Sequence, residues 1–292
     1  MALHGIDISN WQWRLDLSNI RFDFVIVKAT EGIGFVDPYC DKFYQQAKSM
    51  GKLLGFYHFA RPESNSAKAE AEFFYKHTRN YFKEAIPILD WESPNRHDVK
   101  WALEWLKEVE RLSGVKPMIY MSESVVNYYD WTEVVSNGNH LWVAKYYDYA
   151  SDKDYDMSHA GPVPQVRYWS KYWIWQWTSS GRLDGYDHNL DCDVFYGTEE
   201  DWKRLASGGV APKPEPVPTI LKPADPKIIS EVLDNKYGIG TERVNKLKEA
   251  GYDPDSVQKK VNELYAIAIS CEKYCEGNKN YLDSIAKLIN VI

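Results

Sequence analysis

An α/β barrel followed by a small all-α domain is the architecture the sequence predicts, on three observations. Apolar strand-like runs alternate with helix-like runs up to residue 206; a proline-rich stretch then erases all periodicity; short capped helices follow it. The strand runs are His4–Ile8, Phe24–Ala29, Leu53–Phe59, Ile86–Trp91, Pro117–Met121, Leu141–Lys145, Tyr172–Trp177 and Asp193–Tyr196. Helical periodicity marks Pro38–Met50, Ser66–Arg79, Asp98–Leu112 and Ser122–Asp130 between the early ones. After the sixth strand the helices largely stop, and Tyr146–Ser170 reads as a long polar and aromatic loop. Strand–helix alternation implies a parallel sheet, and eight strands imply a closed or nearly closed barrel with its chemistry at the C-terminal strand ends.

Residues 207–226 contain six prolines and read as an extended spacer. The expected organisation is a barrel over 1–206, a linker over 207–224, a three-helix unit over 225–264 and a helical tail over 265–292. In the small unit Pro226 opens the first helix, Thr241 can cap the second, which Gly251 ends, and Asp253-Pro254 starts the third.

Bulk composition narrows the function. Net charge is −7, which gives no basis for a nucleic-acid partner. Residues 219–292 carry 11 basic and 11 acidic side chains, so the N-terminal part, with 24 against 31, holds the whole negative balance. All twelve tryptophans also lie there; they suit a core or a groove that stacks on sugar rings. No apolar run approaches membrane-spanning length, and Met-Ala-Leu-His-Gly does not open a signal peptide, so synthesis in the cytoplasm without membrane insertion is expected. Cys40, Cys192, Cys271 and Cys275 read as reduced thiols, and no metal-ligand spacing or cofactor motif is present.

The chemistry is carried by acids at strand ends. Ile86-Pro-Ile-Leu-Asp-Trp-Glu92 is an apolar strand ending in two carboxylates one residue apart. Strand side chains alternate, so Asp90 and Glu92 share one face while Trp91 takes the other. Their repulsion raises the proton affinity of one of them, which is what glycoside hydrolysis asks of its acid; a plain strand exit is the other reading. Asp7 ends the first strand, Glu31 follows the second and Asp191 lies just before the last. These acids converge on one barrel mouth although they are distant in sequence.

At this point the motifs match a known family. Gly5-Ile-Asp-Ile-Ser-Asn-Trp-Gln12, Val27-Lys-Ala-Thr-Glu-Gly-Ile-Gly-Phe-Val-Asp37, Gly55-Phe-Tyr-His-Phe-Ala-Arg-Pro62, Leu89-Asp-Trp-Glu92, Ile119-Tyr-Met-Ser122, Leu141-Trp-Val-Ala-Lys-Tyr146 and Trp175-Gln-Trp-Thr-Ser-Ser-Gly181 resemble, in order, the glycoside hydrolase family 25 lysozymes. The resemblance implies a TIM-like barrel of five β/α units plus three strands. It also implies an N-acetylmuramidase cutting the β-1,4 bond between N-acetylmuramic acid and N-acetylglucosamine in the peptidoglycan glycan strand. Glu92 then corresponds to the general acid and Asp90 to its partner, with Asp7 and Asp191 as the other two site acids. Tyr186-Asp187-His188 departs from the family's usual pattern; Asp191 is preferred over Asp184 and Asp187 because Leu190 precedes it and Asp-Val-Phe follows. Glu31, Tyr57, Tyr120, Trp142, Tyr146 and Trp177 are the candidates for sugar contact. His58, beside Tyr57, points to the opposite face and reads as structural; Lys28 reads as a neutraliser of Glu31.

Residues 225–264 are similar to the cell-wall-binding repeat of some phage lysozymes, its specific part being Lys-Tyr-Gly-Ile-Gly-Thr-Glu-Arg. By that resemblance Tyr237, Gly238, Gly240 and Arg243 bind a muropeptide; a plain helix–helix turn is the alternative. Val257, Val261, Leu264, Ala268, Cys271 and Cys275, then Leu282, Ile285, Ile289 and Ile292, follow heptad-type spacing, which allows a hairpin or self-association into a homo-oligomer. The expected role is a phage endolysin, with a bacterial autolysin of the same chemistry and a non-catalytic wall-binding protein as alternatives. A chitinase-type site would need acids where Ile88 and Ala85 stand.

Overall fold

The computed structural model describes residues 2–147, 154–209 and 222–274, the last ten of these and residue 241 by backbone path only. The chain divides into two compact units, Met1–Val217 and Pro218–Ile292.

In chain order the first unit contains β1 (Leu3–Ile8), β2 (Phe24–Glu31), β3 (Phe35–Val36), α1 (Cys40–Ser49), β4 (Leu53–Phe59), α2 (Ala67–Thr78), β5 (Ile86–Asp90), α3 (Val99–Ser113), β6 (Met118–Ser122), α4 (Glu123–Tyr128), α5 (Thr132–Ser136), β7 (His140–Ala144), β8 (Ile174–Gly181), β9 (Leu190–Phe195) and α6 (Glu199–Ser207). Neighbouring strands run β1, β2, β4, β5, β6, β7, β8, β9 and return to β1, which closes an eight-stranded barrel. The pairs from β1 to β8 are parallel, whereas β9 is antiparallel to both β8 and β1. Closure leaves the barrel no unpaired edge. β3 forms a short antiparallel flap on β2 that the sequence did not reveal.

α-Helices cross over after β2, β4, β5 and β6, while β1 reaches β2 through two 3-10 turns, Asn10–Gln12 and Leu17–Asn19. Four strands thus carry an α-helical crossover, against the five β/α units expected, and the first crossover is made of 3-10 turns. Each long crossover has legible ends: Ser66 caps α2, Asp98 caps α3, and Gly114 ends α3 in the left-handed region at φ 71°.

Alternation sorts the strands into two cores. Outward residues such as Ile6, Val25, Phe56, Leu89, Ile119, Val143 and Trp175 pack against the helices, and inward residues such as Phe24, Ile26, Ile86, Ile88, Met118 and Phe195 fill the barrel. α6 was not expected. Its Trp202 and Leu205 join the inner core, the Trp202 Nε1 donates to the Leu54 carbonyl at 2.9 Å, and the helix is set by a Thr198/Asp201 capping box. β9 also begins earlier than expected, so Asp191 lies within the last strand rather than before it. Cys40 and Cys192 are buried thiols outside any disulfide, as expected.

The second unit comprises α7 (Pro226–Leu233), α8 (Gly240–Glu249) and α9 (Pro254–Tyr274). Ile228, Ile229, Val232, Leu247, Val257 and Val261 form its core. Two expectations change here. Thr241 lies inside α8, whose N-cap is Ile239 and carries no side-chain cap. The third helix runs past residue 264 to Tyr274, in line with the heptad-type spacing from Val257 onward. Val257 and Val261, two members of the supposed association seam, are consumed within the unit's own core, as apolar faces of short helices must be. Most of the linker, at 210–221, and the tail from 275, with Cys275, Leu282, Ile285, Ile289 and Ile292, lie outside the described residues.

Candidate active site

Inward positions near the C-terminal ends of the strands build a pocket of about 170 Å³ lined by Asp7, Tyr57, Asp90, Glu92, Tyr120, Trp142, Tyr146, Gln176 and Asp191. All four predicted acids and four of the six predicted sugar-contact residues therefore meet. Trp91 points away as alternation requires, fully buried, with its Nε1 donating to the Arg96 carbonyl at 2.9 Å.

The antiparallel pairing of β9 with β1 sets Asp191 directly opposite Asp7. Like charges facing each other across strands repel, so this register is costly unless the acids hold protons. Burial, followed by the Asp191 charge, raises Asp7 well above the ordinary carboxylate range. Burial, then the Glu92 charge, does the same to Asp90. Asp191 is pushed up to about 7 by burial and then by Glu92. Glu92 sits at the rim with solvent on its outer side, yet loss of water on its inner side raises its proton affinity too, against the pull of Lys28 and Arg96.

Two inner residues that sequence reasoning missed organise this cluster. Gln176 donates from Nε2 to Asp7 Oδ2 at 2.5 Å, and its Oε1 accepts from the Tyr120 hydroxyl at 2.7 Å and from the Tyr146 hydroxyl. Asp193, fully buried one inward step below Asp191, accepts from Trp142 Nε1 at 2.9 Å. Its own proton affinity is raised by burial and by Asp7. Tyr120, Tyr146 and Trp142 are thus wall residues with their polar atoms tied inward. By contrast Asp90 Oδ1 is buried and has no hydrogen-bond partner among the described residues, which leaves an acceptor for something that enters.

Two predicted contacts fail. Glu31 does not line the pocket: Lys28 Nζ reaches its Oε2 at 2.6 Å and Arg61 Nε its Oε1 at 2.8 Å, so its charge is spent on neighbours. Trp177 is buried in the outer core, because Gln176 takes the inward position beside it. Asp184 and Asp187 are exposed on the β8–β9 hairpin and line no part of the pocket. His58 is structural, as expected: its Nδ1 pairs with the Thr30 hydroxyl at 2.7 Å and its Nε2 with Glu70 at 2.7 Å, both fully buried. No group of metal-ligating side chains occurs among the described residues.

The raised Asp191 gives a signed prediction. A carboxyl whose folded value lies near 7 instead of 3.8 loses folding stability as pH rises through that window, because only the unfolded chain ionises it freely. Asp191→Asn removes the penalty. It should match the parent's stability at pH 3.5 and exceed it at pH 8 by on the order of 2 kcal/mol, measured by urea denaturation.

The glycosyl hydrolases family 25 model matches residues 6–186. The chain belongs to this family. It is accordingly a glycosidase of the lysozyme and muramidase kind. YegX of Escherichia coli O157:H7, an uncharacterized protein, is 33% identical over 71% of the chain and 74% of its own length. The lysozyme of Streptococcus phage Cp-7 is 26% identical over 82% of the chain and 62% of that protein. The muramidase structure from Trichobolus zukalii superposes with a TM-score of 0.52 at 30% identity, over 71% of the chain and all of that protein. The CW_7 repeat model matches residues 227–265, which fits a cell-wall-binding repeat in this family 25 hydrolase.

In the repeat, the residues proposed for recognition do cluster, but as a braced turn. Gly238 and Gly240 take φ of 70° and 59°, a region that disfavours side chains. Arg243 Nε donates to the Gly238 carbonyl at 2.9 Å and its Nη1 to Gln258 at 3.2 Å, while the Tyr237 hydroxyl reaches Glu231 at 3.4 Å. Arg243 therefore holds the loop shape.

Proposed function

We propose that this hydrolase is an N-acetylmuramidase of the endolysin type, which cuts the β-1,4 bond after N-acetylmuramic acid in the peptidoglycan of an infected cell. The single observation that carries the chemistry is the pocket joining Glu92 at its rim to Asp90, Asp7 and Asp191 within it. Glu92, reachable by the leaving oxygen and raised in proton affinity, acts as general acid. The unpartnered Asp90 Oδ1 accepts the acetamido N–H of the sugar and steers its carbonyl to the anomeric carbon. Asp191, whose carboxyl ionises near 7, supplies negative potential beneath the developing oxocarbenium ion. Tyr57 and Tyr146 line the pocket wall.

The endolysin role rests on the family, on the repeat over 227–265 and on the phage lysozyme among its relatives. The repeat would hold the enzyme on muropeptide through the turn at Tyr237, Gly238, Gly240 and Arg243. The protein would accumulate in the cytoplasm and reach the wall after the membrane is breached. Expression in the cytoplasm of a host whose wall the purified enzyme digests tests this. Cultures should stay turbid until the membrane is permeabilised and then clear; clearing without permeabilisation would contradict the role.

A further inference from the structure

Ten of the twelve tryptophans are at most 8% exposed, but Trp11 is 82% and Trp13 50% exposed. Both lie on one surface groove of about 540 Å³ with Arg14, Arg182, Tyr186 and His188. Leaving two indoles in water is unfavourable, and their segment is not loose. Ser9 and Gln12 form a capping box around the 3-10 turn that carries Trp11, and the Asn10 N–H donates to the buried Asp37 at 2.8 Å. Trp11 is thus an aromatic face preset on a rigid turn, at little entropic cost to a ligand.

The charge of the groove is the reverse of the chain's. No carboxylate lines it, although the protein carries −7 overall. The Arg14 guanidinium lies 4.7 Å over the Trp13 ring, and Arg182 donates to the Asp187 carbonyl. Neither arginine forms an ion pair with a carboxylate among the described residues, so both retain donors for an anion. The groove is placed by the strands of the site itself: its Trp11–Arg14 side follows Asp7 out of β1, and its Arg182–Asn189 side leads into Asp191 on β9.

We propose that this groove is a second substrate site, for the peptide-bearing part of the glycan strand away from the bond that is cut. Trp11 stacks on a sugar face, and Arg14 and Arg182 pair with carboxylates of the stem peptide. The proposal rests on the muramidase reading for the identity of the strand. It gives the enzyme a means to prefer strands that still carry their stems.

The test uses full-length protein carrying Glu92→Gln, which binds without cutting, and soluble glycan strands either intact or stripped of stem peptides by an amidase. Adding Arg14→Ala and Arg182→Ala should weaken binding to intact strands by about a hundredfold, roughly tenfold for each of the two charge-assisted pairs, and leave binding to stripped strands unchanged. Lysine at both positions, which keeps the charge, should recover part of the loss and guards against a folding artefact. Equal weakening on both strands, or none on either, would overturn the proposal. Failure of the muramidase reading shows separately, as absence of cleavage of either strand by the parent enzyme.

Discussion

Glu92→Gln is expected to lower kcat on cell walls by about a hundred- to ten-thousand-fold while leaving the melting temperature within a degree or two. The first half follows from chemistry. Departure of the glycosidic oxygen needs a proton, and an amide of the same shape has none to give. The second half follows from position. Glu92 lies beyond the end of β5, at the solvent-facing rim, and no side-chain hydrogen bond or ion pair of its carboxyl is found among the described residues. Turbidity loss of purified walls measures the rate, and calorimetry measures the fold. A large loss of both together would mean that Glu92 serves structure instead.

Glu70→Ala should produce the opposite pattern. Glu70 is fully buried and accepts from the Arg61 N–H at 3.0 Å, from Asn65 Nδ2 at 2.8 Å and from His58 Nε2 at 2.7 Å. Alanine strands these donors and opens a cavity beneath the loop after β4, so a loss of about 3–5 kcal/mol is expected. His58 cannot take over the charge. Burial lowers its proton affinity despite the neighbouring Glu70, and Trp105 stacks on its ring at 5.3 Å. At a temperature where the variant remains folded, kcat should be nearly that of the parent. A stable but inactive Glu70→Ala would instead make the His58–Glu70 pair part of catalysis. The two variants together separate the acids that act from the acid that braces.

The sequence disclosed the barrel because parallel strands, buried on both faces, leave unbroken apolar runs such as Phe24–Val27 and Ile86–Leu89. It disclosed Asp90 and Glu92 because two acids at an apolar strand's end stand out at short range. Gln176 and Asp193 stayed hidden because a buried polar side chain inside a barrel looks, in one dimension, like a surface residue of a half-buried strand. The same ambiguity delayed the start of β9, whose Leu190-Asp-Cys-Asp alternation faces acids inward. Trp177 was misplaced for want of that knowledge: once Gln176 is inward, period-two alternation sends Trp177 outward. The partners of Glu31 show the converse failure. Lys28 was visible three residues away, but Arg61 arrives from the exit of β4, and only the parallel pairing of β2 with β4 brings it there. The groove beside the site was equally invisible, since no pattern marks which two of twelve tryptophans remain outside.

The central claim is that the pocket around Asp90 and Glu92 cuts peptidoglycan on the muramic-acid side. Digestion of purified peptidoglycan by the full-length enzyme, followed by borohydride reduction and identification of the new sugar ends, tests it most directly. Reduced muramic acid is expected with the parent enzyme and not with Glu92→Gln. Reduced glucosamine as the new end would contradict it.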